Sequence, residues 1–205
     1  IKITNVAFLP ENTLIQLRQI KENNSLRDMY TSIFNQSLVL LVSYFTSAIK
    51  ELFGSTIQYL AENNQEHFSL IKSDIKFSFQ ELGNYNFNLT SEIGNLIIEK
   101  NNISFQDMQS ICREFKQYFG FEIEKNIDLD NIILSQASRH SIVHALSIAD
   151  SKFMNQIRNT DNRTIKTHVE LNDPLLYSPE EIEAIIESMN NFFNMLFNKL
   201  KNDCH

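Results

Sequence analysis

Three ionisable side chains fall within one six-residue stretch, Arg139-His140-Ser141-Ile142-Val143-His144. On a helix, Arg139 and His144 would lie about 140° apart around the axis and about 7.5 Å apart along it, so that they flank one broad face. His140 and His144 are four residues apart and would share a face. The spacing of Arg139 and His144 is suited to binding different atoms of one extended substrate.

Three interpretations of this hexapeptide are open. In the first, the residues are the polar face of a helix turned to solvent. In the second, His140 and His144 are two zinc ligands in H-x3-H spacing, although Ser141 stands where metalloprotease helices carry Glu and no third ligand is evident. In the third, the chemistry is metal-independent and acts on a phosphodiester, because histidine exchanges protons near neutral pH and arginine holds phosphate through paired hydrogen bonds.

The charge distribution fits the third interpretation, with an ordinary solvated loop as the open alternative. The chain carries a net charge of −7, yet residues 139–168 contain five basic residues against two acidic ones. The basic residues are Arg139, Lys152, Arg158, Arg163 and Lys166. An acidic protein that holds RNA is expected to concentrate positive charge where the backbone lies. We therefore predict that Lys152, Arg158 and Arg163 contact RNA.

The elements that must position these residues are predicted to be helices. The 205 residues include only four glycines and three prolines, and 42% are hydrophobic. The low content of turn-forming residues favours long helices over many short strands. The scarcity of glycine also excludes glycine-rich phosphate loops. Since no repeat or low-complexity linker divides the chain, we expect one all-α domain over residues 1–205, an antiparallel helical bundle. Its core is expected at 25–65 and 128–200, with 65–120 as a helical elaboration.

Periodicity and capping residues locate the individual helices. The longest apolar pattern predicts a helix over 26–62, and Ser178, Pro179 and Glu181 start a second one that runs to 201. A third is expected from Asp128 or Asp130 to about Ala149. Shorter helices are expected at 11–22, 66–82 and 91–100, and one starts at Ser104 and ends at Gly120. Residues 151–177 are expected to be irregular, with a short strand at 168–171.

Cysteine usage and hydropathy bear on the compartment. Two cysteines, Cys112 and Cys204, make no disulfide framework, and a reducing cytoplasm is the simplest expectation. The apolar stretch 37–45 lacks the basic region and cleavage site of a signal peptide, and no run reaches 18 consecutive apolar residues. The abundant phenylalanines follow helical spacing, which indicates core rather than base-stacking surfaces.

The sequence resembles the HEPN superfamily of small all-α domains. Arg139 and His144 match the R-x4-H motif, expected at the start of a helix and followed by a small residue and an acidic turn at Asp150. The apolar stretch Ser37 to Leu52 is similar to the long first helix of that fold. The capped helix from Ser178 to Leu200 matches its last one. The resemblance covers roughly residues 25–65 and 128–200.

This resemblance implies a metal-independent endoribonuclease of prokaryotic antiviral defence or of a toxin–antitoxin system, without a cofactor. It implies that the ribose 2′-OH attacks the adjacent phosphate, that His144 transfers a proton and that Arg139 stabilises the phosphate charge, with His140 as a positioning group or second proton carrier. It further implies a homodimer with a composite active site, and an antitoxin or other defence-system protein as partner. The alternative is a non-catalytic helical module that binds RNA, a nucleotide or a protein.

The chain departs from the family pattern at two positions. Members often carry a carboxylate on the long helix, where this sequence has Thr46, with Glu51 as the nearest acid. Some toxins of the family carry a tyrosine two residues after the motif histidine, which a nucleotidyltransferase partner modifies. That position is Leu146 here, so the sequence does not indicate such a partner.

Overall fold

The computed structural model describes residues 24–64, 68, 75–89 and 92–203. The described part of the chain contains seven helices and no strand, as the all-α expectation requires. The helices are α1 (Asn24–Asn63), α2 (Phe79–Asn84), α3 (Ile93–Lys100), α4 (Met108–Phe119), α5 (Ile127–His144), α6 (Ser151–Gln156) and α7 (Pro179–Asp203). The helix expected at 11–22 lies outside the described residues.

Helix α1 is the central element, and its buried stripe recurs every three or four residues. The stripe consists of Leu38, Val42, Phe45, Ile49, Phe53, Ile57 and Leu60. Phe53 is fully buried, and its ring meets Phe105, Phe115, Tyr118 and Phe119 edge-on at 5.1–5.5 Å between centroids. The expectation that the aromatic residues build the core is therefore confirmed here, although Phe79 and Phe87 pair on the surface.

Three long helices form the frame, and their directions follow from contacts along their lengths. Helix α5 is antiparallel to α7, because Ser138 meets Tyr177 while Asn131 meets Ser188. Helix α1 runs parallel to α7, because Asn35 meets Tyr177 and Phe45 meets Phe192. Helix α1 also packs on α5 and is therefore antiparallel to it, so that the frame combines one parallel and two antiparallel pairings rather than antiparallel neighbours throughout.

Residues 93–119, expected as an elaboration, belong to the same hydrophobic core as the frame. Ile97, Ile98, Met108, Ile111 and Phe115 are buried within that one cluster. Helix α3 packs on α1 through two glycines, because a Cβ on Gly94 would lie 2.1 Å from the carbonyl oxygen of Gly54. This part of the elaboration is therefore built into the domain.

Local capping signals are confirmed at two helix ends and wrong at two others, the starts of α4 and α5. Ser178 and Glu181 form the predicted capping box before α7, and Gly120 ends α4 with a left-handed φ of 76°. Asp107, rather than Ser104, caps α4, because its carboxylate accepts hydrogen bonds from both the backbone N–H and the hydroxyl of Ser110.

The other element boundaries differ more from expectation. The described residues 75–78, expected to be helical, are not, and α2 begins only after the cap Ser78. Helix α5 begins after the cap Asn126 and ends at His144, five residues before Ala149. The short strand expected at 168–171 is absent. The irregular region contains the additional helix α6 and a single bridge between Ile148 and Pro174.

By length and composition, the stretch Ser32–Asn63 of α1 could cross a membrane, and the mean hydropathy of its most apolar 18-residue window is 1.3. In the fold this stretch lies against α3, α5 and α7, but only 28% of its most apolar window is buried. Core helices and N-terminal signal segments share this composition, so the helix assigns no compartment. Cys204, used in the compartment argument, lies outside the described residues.

Candidate functional site

The Arg139–His144 stretch occupies the last turns of α5, whereas the family resemblance implied the start of a helix. The helix ends there because Leu146 and Ser147 take left-handed backbone conformations, with φ of 54° and 60°. The backbone N–H groups of Ala145 and Ser147 both donate to the carbonyl of Ser141, which closes the helix end.

Long-range contacts hold the chain after His144. The backbone N–H of Leu175 donates to the carbonyl of Ser147 at 2.7 Å, and that of Ala149 donates to the carbonyl of Asp173 at 2.9 Å. The amide of Asn35, buried on α1, donates to the carbonyl of Leu175 at 2.9 Å and to the hydroxyl of Ser147 at 3.3 Å. The turn that orients His144 is therefore fixed from α1 and from the segment before α7.

The two histidines of the motif are in contact. Their ring centroids lie 4.8 Å apart with planes inclined by 46°, which agrees with the prediction that they share a helix face. His140 is half-buried and His144 is exposed. The pair thus extends from the body of the domain to its surface.

A groove of about 870 Å³ adjoins this pair. Arg139 and His140 of α5 line one wall, Lys152 and Asn155 of α6 a second, and Gln109 of α4 a third. His144 does not line the groove itself but contacts His140, which does. The structure therefore brings Arg139, His140 and Lys152 to one surface and sets His144 at its edge.

The charged side chains of this groove are available to a ligand. Within the described residues, neither Arg139 nor Lys152 forms a hydrogen bond or ion pair. Burial lowers the pKa of His140 below its ordinary 6.5, and the positive charge of Lys152 lowers it further, against an opposing effect of Asp150. At neutral pH His140 is consequently a proton acceptor beside two fixed cations.

Two of the basic residues that raised the charge of this region are engaged within the protein. The guanidinium of Arg163 donates to the carbonyls of Thr160, Lys166 and Thr167 and to the Thr160 hydroxyl. Lys166 pairs with Glu181 at 2.9 Å. Arg163, expected to contact RNA, thus uses four of its five N–H donors to hydrogen-bond its own loop. Arg158 is exposed but lies outside the groove lining.

The other candidate groups lie apart from the groove. The hydroxyl of Thr46 donates to the carbonyl of Val42 on its own helix, and Glu51 is exposed and accepts from Ser55. Neither residue lines the groove, so Glu51 supplies no carboxylate there. His168 is exposed on a loop. Among the residues described, no group of three or more His, Cys, Asp or Glu side chains is placed to hold a metal ion.

Sequence reasoning missed the amide side chains that line this groove, of which Gln136 is the most buried. Gln136 lines the groove one turn before His140, is only 8% exposed, and leaves its Nε2 without a partner in the described structure. The buried residues of α5 include five other polar side chains, so no local signal in the sequence singled out Gln136. Comparisons with protein-family models, curated proteins and solved structures find no match to this chain.

Proposed function

We propose that the protein is a metal-independent endoribonuclease that cuts RNA at the groove beside Arg139 and His140. The observation that carries this proposal is the contact between His140 and His144 at the edge of a groove lined by two unpaired cations. Two imidazoles supply an acceptor and a donor of protons, and the cations bind the phosphate between them.

The reaction requires two proton transfers, for which the site has two groups. The ribose 2′-oxygen forms a bond to the adjacent phosphorus, and the bond from phosphorus to the 5′-oxygen breaks. His140, held neutral, accepts the proton of the 2′-OH, and His144 donates a proton to the leaving 5′-oxygen. Arg139 stabilises the negative charge that develops on the phosphate oxygens, and the products are a 2′,3′-cyclic phosphate and a free 5′-OH.

The proposal includes a homodimer in which the motifs of both protomers face one cleft. Leu146 is 89% exposed in its left-handed turn, and Val143 is 48% exposed on the helix turn that carries His144. Apolar side chains beside a catalytic histidine gain free energy when a second copy covers them. Light scattering at micromolar concentration is expected to give twice the mass of the chain, and a monomer would contradict this part.

The biological setting follows from the resemblance alone. We propose a role in prokaryotic antiviral defence or as a toxin, with an antitoxin or another defence-system protein as partner. Expression of the wild-type protein is then expected to arrest growth, whereas a His144→Ala variant of equal abundance is expected to be tolerated.

Incubation with labelled RNA in EDTA tests the activity. The wild-type protein is expected to cut, and His144→Ala is expected to lose about 10²- to 10⁴-fold in rate, the usual contribution of general acid–base catalysis. His168→Ala is the matched control, because His168 is exposed and is not among the residues that line the groove. Full activity in His144→Ala would refute the proposal.

A non-catalytic module that binds RNA, a nucleotide or a protein is the second candidate. It is favoured by the amide side chains of the groove, which form hydrogen bonds but transfer no protons. This candidate predicts that RNA binds without being cut and that Arg139→Ala weakens binding. His144→Ala would then change nothing.

A further inference from the structure

The groove beside Arg139 and His140 carries an unusual number of amide side chains. Its volume of about 870 Å³ is in the range of small-molecule sites. Six of its lining residues are amides: Gln106, Gln109, Gln136, Asn155, Gln156 and Asn159. An amide presents both donors and an acceptor, as recognition of a nucleobase edge requires.

Gln136 differs from the other five because its orientation is fixed. Its Oε1 accepts a hydrogen bond of 2.9 Å from the backbone N–H of Met108, the first residue of α4. The Nε2 donors must then point away from Met108, and in the described structure they have no partner. A buried unpaired donor costs free energy, which a ligand acceptor would recover.

The fixed amide lies one helical turn from the cationic end of the groove. Gln136 and His140 are four residues apart on α5, about 6 Å along its axis. Arg139 and Lys152 supply positive charge at the His140 end. The carboxylate among the lining residues is Asp107, whose oxygens are engaged by Ser110. A ligand that joins a phosphate to a hydrogen-bonding ring fits this arrangement.

We propose that the groove binds one nucleotide unit, with its phosphate at Arg139 and Lys152 and its base against Gln136, and that Gln136 selects keto bases. Uracil and guanine present a carbonyl oxygen where cytosine and adenine present an amino group. A fixed N–H donor therefore favours uracil and guanine. Nε2 lies below the groove surface, so the proposal requires lining side chains to move when the base binds. The inference rests on the proposed function for RNA as the source of the nucleotide.

Calorimetric titration with UMP and CMP tests the selection without requiring catalysis. One hydrogen bond gained or lost corresponds to about a fivefold change in affinity, so UMP is expected to bind about fivefold more tightly than CMP. Gln136→Glu keeps an oxygen for the Met108 N–H and replaces the donor by an acceptor. This variant is expected to reverse the order, and the ratio of affinities is unaffected by its added negative charge.

Two further variants and one spectroscopic measurement complete the test. Arg139→Ala is expected to weaken the binding of UMP and CMP equally. Lys201 is an exposed cation at the end of α7, and Lys201→Ala is expected to change neither affinity. In the wild-type protein, the side-chain amide resonance of Gln136 is expected to shift more with UMP than with CMP. This measurement does not depend on the folding of Gln136→Glu.

Equal affinities for UMP and CMP, binding of neither, or an unmoved Gln136 resonance would overturn the inference. A protein that binds with the stated preference and cuts no RNA would refute the nuclease alone. A protein that cuts RNA in EDTA without the preference would refute base selection alone.

Discussion

The imidazole rings of His140 and His144 lie 4.8 Å apart between centroids at the end of α5. The contact follows from their spacing of four residues, one helical turn. Burial and the charge of Lys152 lower the pKa of His140, and His144 acts in the same direction. The contact therefore couples the two rings electrostatically at the edge of the groove.

The titration of His140 gives the first prediction. Its pKa is expected below 6.5 by NMR titration of the ring protons, chiefly because of burial and Lys152. Lys152→Ala is expected to raise that pKa. Asp150→Asn keeps the cap of α6, accepting from the Phe153 N–H, and is expected to lower it. Movement in the same direction in both variants would contradict this account.

The same shift has a consequence for stability and for rate. Because the pKa of His140 is lower in the folded than in the unfolded protein, its contribution to stability is complete above pH 6.5 and is lost as the pH falls through the folded value. The cleavage rate is expected to rise with pH over the same window, since the acceptor must be neutral. His140→Gln is expected to abolish this rise of the cleavage rate with pH.

The unpaired cations give the second prediction. Arg139→Ala and Lys152→Ala are each expected to weaken RNA binding and to flatten the plot of log affinity against log salt concentration by about one unit of slope. Arg163→Ala is expected to leave the slope unchanged, because its guanidinium bonds its own loop. Fluorescence anisotropy across a salt series measures all three variants. A slope that falls in Arg163→Ala but not in Arg139→Ala or Lys152→Ala would contradict the assignment of the phosphate contacts to Arg139 and Lys152.

Local signals in the sequence predicted much of the helical frame. The Ser178–Glu181 box and the glycine stop at Gly120 act within one turn of chain, so the sequence alone specifies them. Which face of α1 is buried was not predictable, because apolar residues occur on more than one face. Leu40 and Tyr44 fit the periodic pattern, yet they are 57% and 73% exposed.

The candidate site was predictable only where spacing along one helix decides it. The i,i+4 spacing brings His140 to His144, whereas the end of α5 depends on contacts with residues 172–175, far along the chain. Charge counting likewise could not show that Arg163 bonds its own loop. The orphaned donor of Gln136 arises from its bond to Met108, 28 residues away, which no local pattern encodes.

The side chain of Asn35 gives the third prediction. It bonds the carbonyl of Leu175 and accepts from the backbone N–H of Tyr177 at 3.3 Å, so Asn35→Ala leaves both buried groups unpaired. The expected loss in the free energy of unfolding is about 1–3 kcal/mol per unpaired group. Gln36→Ala, an exposed neighbour, is expected to be neutral. Urea denaturation distinguishes them, and equal midpoints would show that Asn35 does not hold this turn.

The packing of α3 on α1 gives the fourth prediction. A Cβ on Gly94 would lie 2.1 Å from the carbonyl oxygen of Gly54 and 2.8 Å from its carbon, so Gly94→Ala must push the two backbones apart. We expect a loss of at least about 1–3 kcal/mol in the free energy of unfolding, the usual cost of overpacking. Gly83→Ala is the matched control, because nothing lies within 4 Å of its Cβ.

The two glycine variants are expected to differ in sign. Gly83 lies in α2 and is exposed, so alanine there is expected to stabilise by up to about 1 kcal/mol through helix propensity. Gly54→Ala is intermediate, since the nearest atom to its Cβ would belong to the Ile98 side chain, at 3.4 Å. Thermal denaturation is therefore expected to rank the midpoints Gly83→Ala, Gly54→Ala, Gly94→Ala from highest to lowest. A Gly94→Ala midpoint equal to that of the wild-type protein would mean that α3 does not pack on α1 through this contact.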